Sequence, residues 1–155
     1  MGGIVWAGFV AGVLAAGVFW IFRALALTEL SVTGQFGCLF FDDPRLPMTE
    51  TAGFGLFLAL HATLVAAVHA AVLRALGGPG WGTGLAAGAV YGALMAAVLP
   101  WLAKASRCVR MGRLRPPGRL GLDWGQATPV ALIAGFAVYG GVFGAVLHAL
   151  STRAP

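Results

Sequence analysis

Apolar residues fill four stretches of the chain so completely that charge disappears from them: Met1 to Phe22, Thr51 to Leu73, Ala75 to Ala103 and Trp124 to Thr152, runs of 22, 23, 29 and 29 residues. A helix rises about 1.5 Å per residue and the hydrocarbon core of a bilayer is about 30 Å thick, so about 20 residues suffice to cross it. The pattern predicts helices over residues 3–26, 52–76, 82–105 and 127–150, with loops 27–51 and 106–126 on one side of the membrane. Gly77, Gly78, Pro79 and Gly80 punctuate the remaining connection, so the second and third helices are expected to form a tight antiparallel hairpin. The expected fold is a single all-α domain over residues 1–155, an integral membrane four-helix bundle. Trp6, Trp20, Trp81, Trp101 and Trp124 all fall near expected span ends, where an indole keeps its ring in lipid and its N–H in polar surroundings.

Composition agrees and removes other readings. Only 10% of the residues are charged and 59% are hydrophobic, against about 25% charged in a water-soluble domain. The net charge of +5 does not describe a nucleic-acid surface, because Lys104, Arg107, Arg110, Arg113, Arg115 and Arg119 crowd one loop. With four spans, the first and third loops share a side that also holds Arg23 and Arg45. The other side holds Arg74 and Arg153. Eight cations against two put both long loops in the cytoplasm and both termini outside, by the positive-inside rule. Cys38 and Cys108 would then face a reducing compartment, so no disulfide is expected, and a bridge between them would argue for the reversed topology. Neither cysteine has the local partners of a redox or zinc motif.

An internal repeat is one further reading. At an offset of 80, Ala7, Gly8, Val10 and Gly12 match Ala87, Gly88, Val90 and Gly92; at an offset of 74, Leu58, Val68 and Ala71 match Leu132, Val142 and Ala145. Two spans per half would make two parallel two-helix repeats. Small residues at helical spacing are the strongest pattern: Gly8, Gly12 and Ala16; Gly84, Gly88 and Gly92; Gly140 and Gly144. Residues four apart share a face, and missing side chains let backbones approach where lipid supplies little hydrophobic drive. These faces are expected to pack helices within the bundle or to dock a neighbouring subunit.

His61, His69 and His148 are the ionisable groups in or near the spans and are weak candidates for a cofactor. On a regular helix His61 and His69 stand about 80° apart in azimuth and about 12 Å apart in height, which rules out their clamping one metal. His148, near the end of the fourth helix, does not match His69 in depth. No cofactor and no metal is expected. No Asp, Glu, Lys or Arg lies in the middle of a span, which speaks against a coupled transporter, and the chain lacks the embedded glutamate of the small multidrug exporters. The acids Glu29, Asp42, Asp43, Glu50 and Asp123 form no catalytic arrangement with serine and histidine.

Four acids in the first loop face six cations in the third, so attraction between the loops is expected to close that face. Pro44 and Pro47 are read as preventing a regular helix in the first loop. The cations recur every third residue from Lys104 to Arg113 and serve as a topological anchor, with anionic lipid headgroups or an acidic partner as their functional counterpart.

The AGxxAG pattern at Ala7 to Gly12, the His61-bearing second span, the short hairpin and the GLAAG pattern at Gly84 to Gly88 together resemble the YagU-like small inner-membrane proteins, over residues 4 to 105. The resemblance implies a compact polytopic bundle in a bacterial inner membrane and carries no reaction or catalytic motif. The expected function is a non-catalytic accessory or scaffold subunit whose partners are membrane lipids and other membrane subunits. The rivals are a homo-oligomeric channel or transporter, with a wetted path past Thr63, Tyr91 or Tyr139, and a haem-bearing redox subunit.

Overall fold

The computed structural model describes residues 2–152, and every regular element among them is helical. Four helices are long and apolar enough to cross a membrane. The first is α1 (Gly2–Ala24). The second span runs from Pro47 to Ala75 as α3 (Pro47–Leu60), a π-helical turn (His61–Val65) and α4 (Ala66–Ala75). The third is α5 (Trp81–Ala105) and the fourth α7 (Thr128–Ser151). Together they form an all-α four-helix bundle. Short helices α2 (Val32–Gly37) and α6 (Arg107–Arg110) lie in the first and third loops. Arg153, counted above among the cations of the sparse side, lies outside the described residues.

The first loop departs from expectation at both ends. Pro47 does not keep the chain irregular but starts the second span, occupying the first turn of α3, where a missing N–H costs nothing. Upstream, Ser31 caps α2 by accepting the Gly34 N–H at 3.0 Å. Glycines then let α2 lie on α3: a Cβ at Gly37 would collide with the Thr49 carbonyl, and one at Gly53 with the Thr33 carbonyl.

The spans pack in the order second, first, fourth, third. α5 runs along α7, α1 packs on α7, and the π-helical turn lies against α1. Backbone contact governs the crossing of α5 with α7 and, at Gly8, the approach of α1 to the second span. A Cβ at Gly84 would run into the Gly140 carbonyl, at Gly88 into the Phe136 carbonyl, and at Gly144 into the Gly80 carbonyl. On α1, a Cβ at Gly8 would stand 2.6 Å from the His61 carbonyl, and one at Gly12 3.2 Å from the Leu58 side chain. Ala16 continues this face half-buried. The glycine stripes of the sequence thus meet one another, or the second span, inside the chain.

The second and third spans are adjacent in sequence but do not form the tight hairpin expected of them. They touch through α4, beside the connecting turn, and diverge from there. The two halves of the chain are therefore unequal in packing: the fourth span fits against the first, while the second leaves an opening beside the third.

At the open end the two long loops are joined, though not by the opposite charges expected to join them. The Arg107 N–H donates to the Cys38 carbonyl at 2.7 Å, and the Glu29 N–H to the Trp124 carbonyl at 2.6 Å. Thr28 and Thr128 share a buried hydroxyl hydrogen bond of 2.6 Å, and the Arg107 guanidinium donates to the Phe40 carbonyl at 2.9 Å. The ion pair among the described residues, Arg23 with Glu50, links the end of α1 to the start of α3 instead. Both cysteines are fully buried and form a disulfide, their Cα atoms 5.5 Å apart, well inside the range such a bridge spans. This corrects the expectation of two free thiols: 70 residues of separation conceal a pair that α2 and α6 bring together.

Trp6, Trp20, Trp81 and Trp101 are exposed on the outside of the bundle. Trp124 departs from that pattern. It is buried in the joined loops, where its indole N–H donates to the Arg115 carbonyl at 2.8 Å.

Candidate functional site: a histidine-walled cavity between the second and third spans

Where the second and third spans diverge, they enclose a cavity of about 410 Å³. The fourth span forms its floor with Leu132 and Phe136, and α2 closes the loop end with Phe36. Leu64 and Leu102, one from each span, border it and are both more than half exposed, so the cavity opens sideways toward lipid. Counting the helical rise from Tyr91 to Ser106, both on the wall, the cavity reaches about 22 Å from the loop face toward the membrane centre.

His61 provides the polar group at depth. The π-helical turn begins at this residue, and such single wide turns occur often at functional positions. The His61 Nδ1 donates to the Phe57 carbonyl at 2.8 Å. A carbonyl can only accept, so Nδ1 carries the proton and, in the neutral ring, Nε2 carries the lone pair. That Nε2 is buried without a hydrogen-bond partner, and the whole residue is 1% exposed. At the loop end the Ser106 hydroxyl is likewise buried and unpartnered, with the residue 2% exposed. Unsatisfied buried polar groups are uncommon in native structures and costly to keep. The residues that carry these two atoms both border this one apolar cavity.

The π-helical turn also revises the geometry expected of the histidine pair. A regular helix would separate His61 and His69 by about 80°, but one surplus residue in a wide turn takes back about 100°. The two rings therefore lie on nearly the same side of the span. Both stand edge-on to Tyr139, with centroids 5.3 and 5.2 Å away, and His69 also meets Tyr91 and Phe143. The Tyr139 hydroxyl donates to the His61 carbonyl at 2.7 Å. His69 Nε2 is also unpartnered, but His69 does not border the cavity. His148 is exposed at the far end of α7, away from both. No three potential metal ligands gather among the described residues.

The other residues singled out by sequence are dispersed. Thr63 is exposed and bonds back to the Ala59 carbonyl at 2.7 Å, Tyr139 is sealed in the core, and Tyr91 borders the cavity, so the three do not line one path. Lys104, Arg107, Arg110, Arg113, Arg115 and Arg119 are all exposed on the loop face. A second hollow, a groove of about 470 Å³, runs between α1 and the α2–α3 corner past Arg23 and Glu50. Its charged groups already satisfy each other. Ser106 and the cavity were missed by sequence reasoning: a serine at the end of a span carries no pattern, and the cavity depends on which helices part.

No family model, curated protein or solved structure matches the chain.

Proposed function

We propose that the protein is a non-catalytic accessory subunit of a larger assembly in a bacterial inner membrane, docked through the outer face of α5. The observation carrying this reading is the poor coverage of the third span. In its most apolar window 22% of the residues are buried within the chain, against 50% for the fourth span. The uncovered side presents Gly82, Ala86, Ala93 and Ala97, all exposed, at spacings that keep them on one face. Small residues gain little from lipid and much from a close-packed helix. The inward glycines, by contrast, are occupied by the bundle's own crossings. Ala86→Leu with Ala93→Leu should reduce the size of the native assembly on a blue native gel to that of the isolated chain, with the thermal midpoint of the purified protein unchanged. An assembly of undiminished size, or a wild-type chain that migrates alone, defeats the proposal.

For orientation, the charge count and the sulfur bridge point in opposite directions, and in this reading the bridge decides. Disulfides persist on the oxidising side of a bacterial inner membrane and are kept reduced in the cytoplasm, whereas the charge bias is a tendency of short loops. The joined loops then face outward and both termini lie in the cytoplasm. A green fluorescent protein fused after the last residue should fluoresce, and an alkaline phosphatase fused there should be inactive. The opposite result restores the orientation given by charge.

A further inference from the structure

We propose that the cavity between the second and third spans binds a lipophilic ring compound bearing a hydroxyl group, of the hydroquinone type, with its ring beside His61 and its aliphatic chain leaving between Leu64 and Leu102. The inference stands apart from the docking of α5, which uses a different face. Three observations define the ligand. The walls are apolar, so the ligand enters from lipid. Phe36, Tyr91 and Phe136 border the cavity together with His61, and the His61 and Phe136 rings are stacked at 5.7 Å, which favours a planar ring over a bare acyl chain. His61 Nδ1 is committed to the Phe57 carbonyl, so the buried, unpartnered Nε2 can only accept, and a ligand whose ring displaces the packing over it must donate an O–H. The Ser106 hydroxyl near the loop face can either donate or accept and meets polar substituents or the water that follows them.

The acceptor role of Nε2 makes the proposal directional. A hydroquinone donates to it and the corresponding quinone does not, so the reduced form should bind more tightly. The probe is decylubiquinol under anaerobic conditions, with decylubiquinone and n-decanol as comparisons, titrated by calorimetry into the full-length protein in detergent. Decylubiquinol should bind about tenfold more tightly than decylubiquinone, the difference one unmade buried hydrogen bond commands, and n-decanol should bind more weakly than either. His61→Phe should abolish the preference for the reduced form. Because that variant could misfold, Leu64→Trp supplies a second test at an exposed position on the mouth: it should block all three ligands and leave the thermal midpoint unchanged. Equal binding of the two redox forms overturns the proposal. So does n-decanol binding as tightly as decylubiquinol, which would make the cavity an acyl-chain groove, and so does a Soret band in the purified protein, which would assign His61 Nε2 to haem iron.

Discussion

Replacing Gly140 by alanine should loosen the crossing of α5 and α7. A Cβ there runs into the Gly84 carbonyl, with the Gly88 Cα and N each 2.8 Å away. Both obstacles are backbone within a helix, so no side chain can rotate aside. Overpacking of this kind costs about 1–3 kcal/mol, and the absence of any yielding atom puts Gly140→Ala near the upper end. At this chain length about 3 kcal/mol lowers the thermal midpoint by roughly 10 °C, readable by circular dichroism of the protein in detergent. Gly17→Ala is the matched control. Nothing lies within 4 Å of a Cβ at Gly17, so this change should be neutral or stabilise by about 0.5 kcal/mol through the lost backbone freedom of glycine. If the two variants melt together, the crossing of α5 and α7 is not the close backbone contact described above.

Removal of the disulfide should have the next largest effect. A bridge closing so long a loop removes about 4 kcal/mol of chain entropy from an unfolded state in water. Spans that remain inserted already restrict that state, so we expect Cys38→Ala with Cys108→Ala to cost about 2 kcal/mol, a fall of roughly 6 °C in the midpoint. Reductant should lower the wild-type midpoint toward that of the double variant and leave the variant unmoved. The loops should stay associated below the transition, because the Arg107 to Cys38 and Glu29 to Trp124 backbone bonds do not depend on sulfur. A wild-type midpoint insensitive to reductant under unfolding conditions would mean that the bridge does not form.

The spans were legible in the sequence because lipid imposes its requirement residue by residue: a charge-free run of sufficient length has few other uses. What failed to show were features that depend on two distant segments at once. Cys38 and Cys108 each sit among residues that give no hint of the other. The first loop and the third were expected to meet through opposite charges. They meet through threonines, backbone amides, sulfur and the Arg107 guanidinium on a carbonyl, with no carboxylate from one loop paired to a cation of the other among the described residues. Pro47 reads as a breaker in sequence because proline interrupts a helix anywhere except in its first turn, the place it occupies here. The 80° between His61 and His69 belongs to a regular helix, and no composition signal marks the surplus residue that turns one toward the other. The glycine stripes were legible as contact faces, but only their partners, Gly84 with Gly140 and Gly8 with the His61 carbonyl, show that those contacts are spent within the chain.

The sideways opening between Leu64 and Leu102 has a consequence for supply. A mouth that meets hydrocarbon is reached by two-dimensional diffusion, and its occupancy follows the mole fraction of a compound dissolved in the leaflet, not its concentration in the surrounding fluid. Even feeble attraction then fills the pocket when the compound is an abundant membrane constituent, and hydrophilic competitors never arrive at the door.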